Sequence, residues 1–484
     1  MRSLRGEHAP QLIQAFLVLG LGVLAFGFLL HFASPTTAFL GVLAICILML
    51  SFIKMELAVA LMLMAMLLSP EIRLGAVGNS LIGDRNVVLR IEDILIPLLG
   101  FLWVANAVIS GSRKLFVRSP LNLPILVTIA FNLITSARAV ILGAPLAKTF
   151  FVNLKFIEFY FIYFFACVYF DSRYKIKLAL GVMFLTAVAV MIYAVPMIPK
   201  TELLTVNRLT APFEGSPEPG TLGGYLCMVL AILLGFFYFQ AGSIEQKFFL
   251  VLCIGLSIVL ILYTLSRTSY GALVAVLFAV GVLARKPLLI LGLLLAVVLA
   301  PLVLPEKIED RITSTLRPGT TWGLEQGAVD RIQVWKKTIF LWKSHPFIGQ
   351  GVGTTDMMDS EYPRLLMETG VVGLALFLWL QCRLFLMSYR LYRTTEDPLT
   401  KAMALGYLCG QAGLLVHCFG AVTFCIVRIM EPFWLFTGMM VGLRELEFSK
   451  AEQENETEEG QPLKALRPAP VRGSLAVFRD SLYE

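Results

Sequence analysis

The chain has 484 residues, of which 58% are hydrophobic and 15% are charged, and its formal net charge at pH 7 is +7. Its mean hydropathy of +0.79 excludes a soluble globular protein of this size, because soluble domains carry far more polar surface. The composition therefore predicts a polytopic integral membrane protein.

Apolar runs long enough for a membrane-spanning helix follow one another along the chain. They lie near residues 11–33, 36–53, 56–69, 91–110, 121–142, 148–170, 176–197, 219–240, 246–265, 269–284, 287–304, 363–388, 402–424 and 428–443. We therefore predict an all-α fold with about 12–14 transmembrane helices. Residues 1–197 form the N-terminal spans, residues 198–443 form a second region, and the polar residues 444–484 are predicted to be a disordered tail.

Lysine and arginine residues mark alternate loops between these runs, and cytoplasmic loops carry the excess of positive charge. The marked positions include Lys54, Arg113, Lys114, Arg173, Lys175, Lys247, Arg285, Lys286, Arg390, Lys401 and Arg444. This pattern predicts that both termini are cytoplasmic. It also places two larger loops, residues 198–218 and 305–360, on the outer side of the membrane.

The sequence offers no pattern for a metal, a nucleotide cofactor or a nucleic acid. All eight cysteines fall inside predicted spans, which argues against disulfides outside the membrane. The four histidines, His8, His31, His345 and His417, are too scattered for a metal site, and no GxxxxGK[ST] loop is present. The charges of loop 305–360 balance, so this loop is no polybasic patch. We therefore expect no cofactor, no metal and no nucleic-acid partner.

Charged residues inside predicted spans need a partner or a cavity. They are Arg138, Lys155, Glu158, Arg267, Glu368, Arg428 and Glu431, and all map to the outer halves of their helices. One interpretation is a shared cavity that opens outward. The other is that Lys155 pairs with Glu158, and Arg428 with Glu431, within one helix. Arg267 has no such neighbour, which favours an anion site at the membrane surface.

Loop 305–360 contains a helical pattern. Ile332, Trp335, Ile339 and Trp342 recur at helical spacing, while lysines occupy the other face. The helix either lies on the membrane surface or packs on the spans below it. Gly349, Gly351 and Gly353 are interpreted as turn formers, because no strand-to-helix turn follows them.

Four stretches in a fixed order resemble the O-antigen ligase and polymerase group of bacterial envelope enzymes. They are residues 207–215 with Arg208, residues 265–271 with the Ser-Arg turn at Arg267, residues 330–335 with 345–353, and residues 359–373. Ligases of this group usually begin the last stretch with His-Asn, whereas this chain has Asp359 and Ser360. The Asp-x-Glu-Tyr form is more similar to the polymerase branch.

The resemblance implies a GT-C-like membrane glycosyltransferase of the bacterial inner membrane, with one large periplasmic loop and a periplasmic active site. It implies that the chain polymerises undecaprenyl-pyrophosphate-linked repeat units, by inverting and metal-independent transfer. One alternative is an O-antigen ligase that hands polymer to lipid A core. A second, from another class, is a lipid-linked glycan flippase or transporter. The implied partners are the lipid-linked glycan, the bilayer, a chain-length regulator and a flippase of the same pathway.

The resemblance and the residue chemistry together nominate site residues. These are Arg208, Arg267 and Arg138 for the pyrophosphate, Asp359, Glu361 and His345 for the base, and Tyr362 and Trp335 for the glycan. Arginine suits a pyrophosphate because its planar fork is always charged. Asp359 can equally be a helix cap, and His345 a loop residue before a proline turn. The two aromatic residues can instead be anchors at the membrane interface.

Overall fold

The structure is a computed structural model that describes residues 54–70, 72–76, 86–109, 116–200, 208–212, 218–240, 242–313, 326–354 and 360–459. Its helices in these residues are α1 Met55–Leu68, α2 Glu92–Ile109, α3 Asn122–Ile141, α4 Leu146–Tyr169, α5 Arg173–Ala194, α6 Pro219–Phe239, α7 Ile244–Tyr263, α8 Arg267–Leu283, α9 Pro287–Val303, α10 Glu306–Thr313, α11 Gln326–Trp342, α12 Glu361–Thr394, α13 Pro398–His417 and α14 Val427–Glu459. The predicted spans at 11–33 and 36–53 lie outside the described residues.

The predicted all-α polytopic membrane class is confirmed. Seven helices of the described ranges are long and apolar enough to cross a membrane: α3, α4, α5 with its 3-10 extension, α6, α7, α12 and α13. The shorter helices α1, α8 and α9 are also apolar. A two-stranded antiparallel hairpin, β1 Ile72–Ala76 with β2 Asn86–Leu89, joins α1 to α2 and was not predicted.

Helices α6 and α13 form the centre of the bundle. In the most apolar 18 residues of each helix, 72% of α6 and 78% of α13 is buried inside the protein, against 28% of α3 and of α7. The two backbones approach closely at Gly235 and Gly406. A Cβ at Gly235 would lie 2.1 Å from the carbonyl oxygen of Ala402, and one at Gly406 would lie 2.7 Å from the Cα of Ile232. Small residues at a helix crossing are what membrane helices use to pack without a hydrophobic driving force.

Basic residues of several turns meet at one end of the bundle, named here the Arg173 end. Arg173 contacts Asp397 at 2.5 Å and Glu447 at 2.7 Å, which joins the starts of α5 and α13 to α14. Lys286 and Lys401 lie over aromatic rings of α6 and α12. These contacts place the turns that carry Arg173, Lys286 and Lys401 at one end of the fold. All three turns were predicted to be cytoplasmic.

Helix α12 is broken at Gly370, which has φ 68° and ψ −166°. The turn that follows α11 packs against this break and bonds its free backbone groups. Gln350 and Gly351 donate their N–H groups to the carbonyls of Met367 and Glu368 at 2.8 Å, and Val371 donates to Pro346 at 2.9 Å. The glycines of this turn have φ values of 62°, 108° and 81°, as expected of turn formers. Polar backbone of this kind is tolerated near a membrane because protein partners satisfy it.

We expect Gly370→Ala to lower the free energy of unfolding by about 2 kcal/mol or more. The left-handed φ disfavours a side chain, and a Cβ would lie 2.3 Å from the carbonyl oxygen of Phe347. Gly181→Ala in α5 is the matched control, because nothing lies within 4 Å of its Cβ. Unfolding curves of the two variants in detergent check this, and equal stability would contradict the packing described here.

The chain departs from the sequence prediction after residue 443. The predicted disordered tail begins at residue 444, but α14 continues to Glu459. In this extension the guanidinium of Arg444 lies over the ring of Phe448 at 5.0 Å, and Glu447 forms an ion pair with Arg173. The start of the polar sequence is therefore helical, and the ion pair with Arg173 fixes it to the start of α5.

Candidate active site

The turn before α8 and the short helix α10 are fixed to each other by two arginines. Arg311 donates from Nε to the carbonyl of Leu265 at 3.0 Å, and Arg267 donates from Nε to the carbonyl of Arg311 at 3.5 Å. Leu265 has a left-handed φ of 50°, and Arg267 is the first residue of α8. Both guanidinium groups are thus anchored at a helix N-terminus, where the backbone N–H groups and the helix dipole favour an anion.

The positive charges of Arg208 and Arg331 act on both Arg267 and Arg311. We call these four residues the arginine cluster. The pKa of Arg311 is lowered to about 10, first by burial and then by the positive charges of Arg267, Arg208 and Arg331. A pKa of about 10 leaves Arg311 charged at neutral pH. Concentrated positive charge of this kind suits a ligand with several anionic oxygens, because arginine can donate two parallel hydrogen bonds to a phosphate.

Arg428 holds the segment that carries Arg208. Arg428 is 2% exposed and donates to the carbonyl oxygens of Pro212 at 2.5 Å and Leu67 at 2.8 Å. It therefore joins the start of α14 to the end of α1 and to residues 208–212. The predicted pairing of Arg428 with Glu431 is wrong, because the guanidinium binds backbone carbonyls instead.

His417 connects the end of α13 to the start of α8. It is fully buried, and its Nδ1 lies 2.8 Å from the hydroxyl of Thr423. Its Nε2 lies 3.4 Å from the hydroxyls of Thr268 and Ser269, which follow Arg267 directly. From the sequence, His417 was weighed only as a metal ligand. Its contacts make it a residue that positions the Arg267 turn.

A second network occupies the first two turns of α12. Arg364 forms ion pairs with both Glu361 and Glu368. Glu361 also accepts the N–H of Phe424 at 3.2 Å, and Glu368 accepts the N–H of Gly353 at 3.1 Å. All three charged side chains are buried. A buried ion pair needs such additional hydrogen bonds to offset the loss of hydration.

A cavity of about 50 Å³ borders this network. Its lining combines the polar side chains of Thr128, Asn132 and Gln381 with aromatic residues of α4 and α14. This volume has room for about one or two water molecules and is too small for a sugar ring. Glu361 is 0% exposed, so in this arrangement it meets other protein groups rather than a glycan hydroxyl.

The other nominated residues lie in different surroundings. Arg138 donates to the carbonyl of Gly349 at 2.9 Å, and Tyr362 donates its hydroxyl to the carbonyl of Leu415 at 2.8 Å. His345 is half-buried beside Ser344, with Nδ1 3.0 Å from the hydroxyl. Trp335 is half-buried on α11. This helix packs on α12, as expected if it packs on the spans below it. Asp359 lies outside the described residues.

The buried charges of the predicted spans therefore belong to several networks. Arg267 joins the arginine cluster, Arg138 binds the glycine turn, and Glu368 pairs with Arg364. The expected pairing of Lys155 with Glu158 is confirmed at 2.7 Å. Arg311 was missed because a single arginine in a short polar helix carries no signal of its own.

Most of the arginine cluster lies in a part of the chain that matches a known protein family. Residues 248–378 match the family model described as O-antigen ligase. The match runs from α7 into α12 and contains three members of the arginine cluster, Arg267, Arg311 and Arg331. No curated protein matches the chain. Residues 248–378 are therefore similar to the O-antigen ligase family, and this match supports the resemblance to the O-antigen ligase and polymerase group that the sequence motifs indicated.

Proposed function

We propose that the chain polymerises oligosaccharide repeat units carried on a polyprenyl diphosphate, with undecaprenyl diphosphate as the expected lipid. The observation that carries this proposal is the arginine cluster at the N-terminus of α8, within and beside the family-matched region. A diphosphate is the anion that this concentration of guanidinium groups fits. The lipid tail would lie among the apolar helices, where the membrane already solvates it.

The proposed transfer is a displacement at the anomeric carbon of the donor, in which negative charge develops on the departing diphosphate. A sugar hydroxyl oxygen attacks the anomeric carbon, the bond from that carbon to the diphosphate oxygen breaks, and the diphosphate leaves with the electron pair. The configuration at the anomeric carbon is thereby inverted. Arg267 and Arg311 would bind the departing oxygens, and donors fixed before the reaction stabilise such a charge most effectively. The hydroxyl proton passes to a base.

Asp359 is the proposed base, since Glu361 is enclosed in an ion-pair network. Asp359 immediately precedes Ser360, the N-cap residue of α12. We expect Asp359→Asn to lower turnover by about 100-fold without loss of the fold, because the two side chains have the same shape and the N-cap of α12 is Ser360. Rates of polymer formation by the purified variant check this, and wild-type turnover would exclude Asp359 as the base.

The arginine cluster is proposed to face the periplasm. The basic turns at the Arg173 end satisfy the rule that cytoplasmic loops carry the positive charge. Arg267 begins α8, whereas Arg285 follows its other end. The two arginines therefore lie on opposite sides of one apolar helix. This orientation would place both termini in the cytoplasm, in a bacterial inner membrane.

A ligase is the second candidate, and the description of the matched family model favours it. Against it stands Asp359-Ser360, where ligases of the family usually have His-Asn. The two activities use the same donor and differ in the acceptor. A polymerase transfers the glycan to a second lipid-linked repeat unit, whereas a ligase transfers it to lipid A core.

Reconstitution with defined acceptors separates the candidates. Purified protein in liposomes is given one lipid-linked repeat unit, alone or with lipid A core, and the products are separated by size. We expect a ladder of longer lipid-linked glycans from the repeat unit alone. Product only when lipid A core is present would identify a ligase. Movement of the unit across the bilayer without lengthening would identify a transporter and overturn the proposal.

A further inference from the structure

Three helices bring acidic side chains together away from the arginine cluster. Asp93 belongs to α2, Glu158 to α4 and Glu431 to α14, and one oxygen from each lies within 4.8 Å of the others. We call these three residues the carboxylate triad. A hard divalent cation binds oxygen ligands at about 2.0–2.6 Å. Oxygens on opposite sides of such an ion are then separated by about 4–5 Å, which matches the triad.

Glu431 supplies an independent sign of a missing ligand. It is 0% exposed, and within the described part of the chain neither of its carboxylate oxygens accepts a hydrogen bond. A buried carboxylate without a partner is among the most costly groups in a protein interior. One of its oxygens lies within 4.8 Å of an oxygen of Asp93 and of Glu158, which are themselves acidic, so the arrangement requires a cation or a proton.

Lys155 supplies part of the required charge. Its ammonium pairs with Asp93 and lies 2.7 Å from Oε2 of Glu158, while Oε1 of Glu158 is buried and accepts no hydrogen bond from the described residues. Glu92 adds a fourth buried carboxylate, with Arg90 3.9 Å away. Among the residues that the structure describes, four carboxylates therefore face two basic side chains in this cluster. The imbalance is what a divalent cation would neutralise.

The triad reaches the surface of the protein. The side chains of Asp93 and Glu158 are each 12% exposed, and that of Lys155 is 32% exposed, so an ion can reach the triad without unfolding. We propose that the carboxylate triad binds one hard divalent cation, Ca²⁺ or Mg²⁺, which ties α2, α4 and α14 together. Glu431 lies one turn after Arg428, so the ion would also steady the turn that holds residues 208–212.

The test uses the full chain, purified in detergent, treated with a chelator and then dialysed. Calorimetric titration with Ca²⁺ and with Mg²⁺ should show one saturable site, and the bound ion should raise the Tm. Glu431→Gln should weaken binding by on the order of tenfold or more, because affinity depends on the ligand charge. Lys155→Met should tighten binding, since it removes the competing ammonium and leaves all three ligands.

Glu396→Gln is the matched control, because Glu396 is exposed at the Arg173 end and should bind the ion as the wild type does. Glu158→Gln replaces Glu431→Gln if the latter does not fold. Absence of saturable binding in both the wild type and Lys155→Met would show that the triad holds protons instead, and would overturn the proposal. Equal affinity in the Gln variant and the wild type would do the same. Neither result depends on transferase activity.

Discussion

Arg267→Ala is expected to reduce turnover of the lipid-linked donor by about 100-fold or more, with normal amounts of protein in the membrane. Arg267 begins α8 and its Nε bonds the backbone of Arg311. Its loss therefore removes one guanidinium and loosens a second. Arg267→Lys should retain more activity than the alanine variant, because it keeps the charge, but not the wild-type rate, because it loses the planar fork. Rates of polymer formation by the purified variants measure this.

Arg285→Ala is the control for this experiment. Arg285 follows the other end of α8 and is exposed, so the change removes a charge of the same kind from the same helix without touching the arginine cluster. We expect wild-type turnover. Equal activity of the Arg267 and Arg285 variants would refute the assignment of the diphosphate to the cluster.

Glu361→Ala is expected to lower the free energy of unfolding by about 3–5 kcal/mol. The change leaves the buried guanidinium of Arg364 with one of its two carboxylate partners, and it leaves the N–H of Phe424 without its acceptor. Replacing all three members, as in Glu361→Leu with Arg364→Met and Glu368→Leu, should cost less than Arg364→Met alone, because Arg364→Met strands two buried carboxylates and the triple change strands none. Thermal and denaturant unfolding in detergent measure all these variants.

Glu396→Ala serves as the control, since Glu396 is exposed and exposed charges contribute little to stability. The same Glu361 variants also separate two roles for this residue. A structural role predicts loss of stability together with loss of activity. If Glu361→Ala unfolds like the wild type but does not turn over, Glu361 would be the base and Asp359 would not.

The spans could be predicted because the bilayer imposes a length and a composition. The apolar run at 219–240 became α6 Pro219–Phe239, and the run at 246–265 became α7 Ile244–Tyr263. The break in α12 could not be predicted. Gly370 lies inside the run 363–388 that was predicted as one span. Its left-handed backbone is stabilised by the distant turn at 345–351, which bonds the freed groups.

A residue of the candidate site could be predicted where its side chain alone is costly to place in a membrane. Arg267 stands out in the sequence because a charge between two apolar segments is expensive. Arg311 and His417 reach the same turn from α10 and α13, and neither is near Arg267 in sequence. The carboxylate triad was missed for the same reason, because its members are separated by 65 and 273 residues (158 − 93 and 431 − 158). Spacing rules detect ligands on one element, not ligands brought together by packing.

The most direct measurement is release of free polyprenyl diphosphate from a lipid-linked repeat unit by the reconstituted protein, compared between the wild type and Arg267→Ala. The account predicts release in step with glycan lengthening for the wild type, and loss of both in the variant. Glycan lengthening by Arg267→Ala at the wild-type rate would contradict it. So would the absence of released diphosphate from a wild-type protein that lengthens glycans.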